Sequence, residues 1–171
     1  KLLRLVQENQ DVTSLQVLDS IGPPPYDRAR NMGRFIRVVK KYEQKNSAGF
    51  PEEWIDIPPE YRDQKDAQDR AEGDDYSFLN YAGDSLFKVK PMSSSINLME
   101  NAYQFGIPVY LIQGEEDILT PKEVTKAYYT KIEAPQKELI LVPGAAHGFD
   151  PAVVAEIFKV LKEKVIPGIR E

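Results

Sequence analysis

His147 is the only histidine in the chain. It lies in Pro143-Gly144-Ala145-Ala146-His147-Gly148-Phe149, where small neighbours leave room for the ring to reach into a cleft. Thirty positions upstream, Gly114-Glu115-Glu116-Asp117-Ile118-Leu119-Thr120-Pro121 carries three consecutive acids. An acid beside an imidazole is two-thirds of a Ser-His-Asp relay. The carboxylate fixes the tautomer and steadies the imidazolium, and the ring takes the nucleophile's proton. Each residue also has a plainer reading: a lone histidine is often structural or exposed, and Asp117 fits a turn. Spacing alone leaves Glu115 and Glu116 open as the acid.

The relay requires both loops to leave the same edge of a sheet. Val109-Tyr110-Leu111-Ile112 and Leu139-Ile140-Leu141-Val142 are short apolar runs of the kind found in buried parallel strands. Each is followed by one of the two loops, at the C-terminal strand end where open α/β sheets place their active groups. Thr120 as N-cap, Pro121 at the first helical position and Glu123 completing a capping box predict a helix between the runs. Asp150-Pro151 predicts a last helix, with Val154, Ile157, Phe158, Leu161 and Val165 on its apolar face. Strand, helix, strand, helix implies a parallel sheet with right-handed crossovers.

Residues 1–105 read as helical. Gly22-Pro23-Pro24-Pro25 is a hard break. After it, Met32, Phe35, Ile36, Val39 and Tyr42 predict a helix over 31–44. A second is predicted over 75–87, with Phe78, Leu79, Ala82 and Leu86. A third runs from Ser93 to Phe105, with Ile96, Met99, Ala102 and Tyr103 inward and Gly106 as its cap.

With these elements in place, the C-terminal part resembles the α/β-hydrolases. Their pattern is a strand, Gly-x-x-Asp-x-x-Thr-Pro, a helix, and a strand ending in a histidine loop. Gly114, Asp117, Thr120 and Pro121 match the first part, and His147 matches the second. The resemblance implies Asp117 as the acid and His147 as the base. It implies an α/β fold that is the C-terminal half of such an enzyme: a helical lid over 1–105, then a β-α-β-α core over 106–171. The Gly22–Tyr26 turn and the helix after it resemble lids of the proline iminopeptidase-related branch. That likeness implies an aminopeptidase acting on peptides with N-terminal proline. Tyr26, Phe35 and Trp54 are then possible pocket contacts.

The family's nucleophile is missing. No Gly-x-Ser-x-Gly elbow occurs. Lys45-Asn46-Ser47-Ala48-Gly49 lacks the first glycine and follows a charged helical stretch, and Ser93-Ser94-Ser95 reads as a helix N-cap. The His-Gly-Gly oxyanion loop is absent too. The expectation is that the N-terminal half of the hydrolase, from the same gene product or a separate chain, supplies the nucleophile, and that this chain alone is inactive. Two alternatives remain. One is an epoxide hydrolase or dehalogenase, which shares the histidine loop but uses an aspartate nucleophile. The other is a non-catalytic lid or interaction fragment.

Composition narrows the rest. The 171 residues are 42% hydrophobic and 29% charged, enough for a packed core. Without cysteine there is no disulfide framework, thiolate zinc site or catalytic thiol, and one histidine excludes a multi-histidine metal site. No cofactor motif is present. A net charge of −5 argues against nucleic acid, and no apolar run reaches the roughly 18 residues of a membrane span. The expected partner is a small molecule or short peptide. No signal peptide is visible and a cytoplasmic location is expected, with secretion left open by the Lys1 start. Residues 52–75 hold ten acids and three bases, a net −7, which leaves +2 for the remainder. This stretch is a solvated face, or a rim that attracts protonated amines.

Overall fold

The computed structural model describes all residues except 44–46, 48, 50, 149, 170 and 171. The Lys45–Gly49 serine stretch therefore falls largely outside the described residues. The fold is mixed α/β, mostly helical, with one two-stranded parallel sheet. Helices α1 (Leu2–Glu8), α2 (Val12–Ile21), α3 (Ala29–Glu43) and α4 (Gln64–Ala82) precede the sheet. The chain divides into two units: Lys1–Leu2 with Val39–Pro51 and Asn97–Glu171, and Leu3–Val38 with Glu52–Ile96.

The second unit is mostly helical, with an antiparallel bridge between Asp84 and Val89. Asp11 caps α2, accepting from the Ser14 N–H at 3.1 Å and the Ser14 hydroxyl at 2.7 Å. The expected helix over 31–44 is present as α3, which ends this unit at buried Val38; its last stretch from Val39, with Val39 and Tyr42 buried, belongs to the first unit. The helix expected over 75–87 is α4. It starts eleven residues earlier, because Asp63 caps it by accepting from the Asp66 N–H at 2.7 Å. It stops at Ala82, because Gly83 takes φ +72° and a Cβ there would meet Pro91 at 2.6 Å. Leu86 lies outside the helix and is exposed. The acidic stretch lies along exposed surface and pairs locally, as in Arg62–Asp56 and Lys65–Asp69.

The helix expected over Ser93–Phe105 does not form as one piece. Ser94 and Ser95 hydroxyls donate back to the Pro91 and Met92 carbonyls, leaving a single turn over Ser93–Ser95. In the other unit, a short α5 covers only Leu98–Asn101. There Phe105 N–H donates to the Glu133 carbonyl at 2.8 Å, so the chain past 103 is drawn into strand-like pairing.

The sheet belongs to the first unit. Strand β1 (Val109–Gly114) pairs in parallel with β2 (Lys137–Val142), from Val109↔Lys137 to Gly114↔Val142. Side chains alternate between the faces. On one face Ile112, Ile140 and Val142 pack with Ala145 and with Val153 of α7 (Pro151–Val160). On the other, Lys137 reaches the carbonyls of Tyr129 and Ile132, at the end of α6 (Lys122–Lys131). Helices thus cover both faces, as a parallel sheet requires.

Helix α6 begins one residue later than expected. Pro121 is the cap residue, and the Thr120 N–H is committed to the Asp117 carboxylate instead. Asp150 does cap α7, accepting from the Ala152 N–H at 2.9 Å, with Pro151 in the first turn. The buried stripe of α7 is Val153 and Val160, whereas Phe158 is 68% exposed and Ile157 and Leu161 are exposed as well. The helix meets the sheet on a face rotated from the one the apolar pattern suggests. It runs on through a π turn (Leu161–Val165) into a last helical turn, Ile166–Ile169.

Candidate functional site

Gly114 decides how the two loops meet. A Cβ there would lie 2.3 Å from the Ala146 carbonyl oxygen and 2.4 Å from that of Ala145. Only glycine lets the histidine loop close on the end of β1. The contact is hydrogen-bonded: Glu115 N–H donates to the Val142 carbonyl and Glu116 N–H to that of Ala145, each at 2.9 Å.

This closure sets His147 Nδ1 2.9 Å from Asp117 Oδ2. A carboxylate only accepts, so Nδ1 carries the proton and the neutral ring keeps its lone pair on Nε2. Asp117 is 3% exposed. Its Oδ1 accepts the Thr120 N–H at 2.7 Å, and Gln113 Nε2 lies 3.4 Å from Oδ2. Gln113 Nε2 also donates to the Thr120 carbonyl, which ties the strand end to the loop.

The two other acids point elsewhere. Glu115 pairs with Lys122 at 2.7 Å, and Glu116 lies 3.9 Å from Lys1. Geometry therefore brings His147 together with Asp117 and not with its neighbours.

Burial opposes ionisation of Asp117. The hydrogen bonds from His147 and Thr120 and the nearby imidazole charge outweigh it and hold the carboxyl below its ordinary range. For His147 the hydrogen bond to Asp117 comes first and raises the pKa. Partial burial works against it, and the charges of Asp117 and Glu43 add to the rise.

Glu43 is absent from the reading of the sequence. It is 7% exposed at the end of α3, and its Oε1 accepts from the N–H groups of Ile118 (2.7 Å) and Leu119 (3.1 Å). One buried carboxylate thus clamps the acid loop from 75 residues away. No local pattern signals such a contact. Gln113 did carry a signal, as the one polar side chain ending an apolar strand.

His147, Asp117, Gly114 and Thr120 line a cavity of about 430 Å³ that extends along β1. Tyr26 and Phe35 pack with tilted rings in the helical unit, centroids 5.6 Å apart, and Trp54 is half exposed there. Among the described residues no group of three His, Asp or Glu is placed to hold a metal ion, and no helix is long and apolar enough to cross a membrane.

No family model matches the chain, and no solved structure matches it. A curated protein that it resembles is the "Probable aminopeptidase YbaC" of Bacillus subtilis (strain 168). The two are 29% identical over 72 residues, which is 42% of this chain and 23% of that protein. The matched region thus spans less than a quarter of the relative's length.

Proposed function

We propose that this chain is the acid–histidine part of a serine hydrolase of the α/β-hydrolase type that cleaves a small amide or ester. The carrying observation is the 2.9 Å contact between His147 Nδ1 and buried Asp117, on a ring that also lines a cavity. Asp117 holds the tautomer. His147 Nε2 takes the proton of a serine hydroxyl as it attacks the carbonyl, then returns it to the leaving group. The serine and the oxyanion donors come from the N-terminal half, in the same gene product or a separate chain. The helical residues 1–105 act as the lid.

The likeness to a protein named as an aminopeptidase supports an N-terminal peptide bond as the target, and the turn at Gly22–Tyr26 favours N-terminal proline.

The test uses the chain alone and the chain combined with the upstream half of its parent. Alone, it should leave prolyl p-nitroanilide and p-nitrophenyl acetate intact. Combined, it should cleave one of them, and His147→Ala should abolish the cleavage. Turnover by the lone chain that depends on His147, or a combined enzyme indifferent to His147→Ala, overturns the reading.

A further inference from the structure

A second cleft, of about 390 Å³, lies wholly within the helical unit. It shares no lining residue with the cavity at His147. Arg30, Gly33 and Arg37 line it from α3, and Asp75, Phe78 and Leu79 from α4. The spacings i, i+3, i+7 and i, i+3, i+4 put each set on one face of its helix. The volume falls in the range of small-molecule sites.

Two features separate this cleft from an ordinary seam between helices. The first is Gly33, in the interior of α3, where glycine is a poor helix former. Packing does not demand it, because a Cβ there would stand 3.9 Å from the Phe78 ring, an ordinary contact. The bare position leaves that side of the ring open. The second feature is charge. Of the four arginines between 28 and 37, Arg28 pairs with Asp84 at 3.2 Å and Arg34 donates to Ser20 Oγ at 2.9 Å. Arg30 and Arg37 are exposed, and among the described residues neither has a carboxylate within ion-pair distance, Asp75 included. Two helical turns separate them, so their Cα atoms stand about 10.5 Å apart along the axis, with Gly33 between.

We propose that this cleft binds a flat apolar molecule that carries a carboxylate at each end. The body lies over Gly33 against Phe78 and Leu79. Each guanidinium fork takes one carboxylate through paired N–H···O bonds. A small lone anion fits less well, because it leaves the apolar floor in water. A neutral apolar molecule leaves both cations without a counter-charge. Asp75 is the one acid in the lining, so against two arginines the charge stays positive. The competing occupant is a second copy of the chain, whose acids at 52–75 are largely exposed. None of the lining residues belongs to the proposed relay, so this site stands or falls apart from it.

The probe is biphenyl-4,4′-dicarboxylate, whose two acids match the spacing of the arginines, titrated into the ¹⁵N-labelled chain. The amides of Gly33, Phe78 and Leu79 should shift saturably, with a Kd of about 1 mM or tighter. Biphenyl-4-carboxylate should bind about fivefold more weakly, and the neutral 4,4′-bis(hydroxymethyl)biphenyl more weakly still. The double variant Arg30→Gln with Arg37→Gln changes only exposed side chains and should weaken the dicarboxylate by about tenfold or more. Gly33→Leu, which fills the space beside the ring, should abolish binding; if that variant fails to fold, the arginine variant carries the test. Equal binding of the three compounds overturns the proposal, and so does a double variant that binds like the parent chain. The absence of a saturable shift at the three amides overturns it too. So do shifts that grow with chain concentration alone and block the dicarboxylate, which mark a second copy.

Discussion

Two aspartates are buried to nearly the same degree, Asp84 at 4% in the helical unit and Asp117 at 3% in the sheet unit. For both, burial opposes ionisation and hydrogen bonds prevail, so both carboxyls sit below their ordinary range. Their partners differ in kind. Asp84 accepts the N–H groups of Ala29 (3.1 Å) and Leu86 (2.9 Å) and pairs with Arg28 at 3.2 Å. An arginine does not lose its proton, so that pair has no proton to exchange near neutrality. Asp117 is bonded to an imidazole, which titrates near neutrality and lines a cavity. Burial and a lowered pKa alone do not separate the acid of the proposed relay from a purely structural one. The protonation freedom of the partner does.

The largest test of this contrast is catalytic. In the combined enzyme, Asp117→Asn should lower kcat by about 10⁴-fold, the scale for a relay acid that loses control of its tautomer. Asp84→Asn should leave kcat within about threefold while lowering the thermal midpoint, because its bonds serve packing alone. If both substitutions act through stability and neither through kcat, the contrast fails.

Gly114→Ala should cost about 1–3 kcal/mol of stability or more in denaturant unfolding, as a methyl group is forced against two carbonyl oxygens. A Glu43→Ala change should cost about 1–3 kcal/mol, since it leaves two N–H groups of the acid loop without an acceptor. Glu43→Gln keeps an acceptor oxygen and should recover most of that loss. Equal losses for the two variants would show that charge, and not the hydrogen-bonded clamp, is what matters.

The single histidine makes the next measurement unambiguous. One imidazole resonance should titrate above the ordinary histidine value of about 6.5 and drop toward it in Asp117→Asn. Because the folded pKa is raised, the pair's contribution to stability is fully present below the unfolded value. It is lost as pH rises through the folded midpoint. For Asp117, whose folded pKa is lowered, the contribution is present above the ordinary carboxylate value and lost as pH falls through the folded one. A wild-type midpoint at or below the free value would break the assignment. The smallest effect belongs to the exposed acids: Lys65→Met, which removes the Lys65–Asp69 pair, should shift stability by at most about 0.5 kcal/mol.

Much of the sheet and its loops was legible beforehand, and for a local reason. A strand buried on both faces shows as a continuous apolar run, and a loop glycine or a Pro after an N-cap shows as itself. The helical region was less legible. Asp63 as the cap of α4 sat inside an acidic run where any of ten carboxylates looked alike. The serines at 93–95 signal a cap equally well as a turn that folds back on itself. The buried face of α7 departs from its apolar pattern because Phe158 and Leu161 continue that pattern on surface that the sheet does not cover.

By itself the sequence determined that one imidazole and a run of acids sit on loops after two apolar strands, since residue type and spacing are local properties. Spacing left three acids open and the hydrolase-like pattern pointed to Asp117; the tertiary structure is what sets an acid against the ring. It turned Glu115 to Lys122, brought Asp117 to His147, and recruited Glu43 from another helix to hold the loop. These choices depend on main-chain approach at Gly114 and on burial, and both arise from residues far apart in the chain.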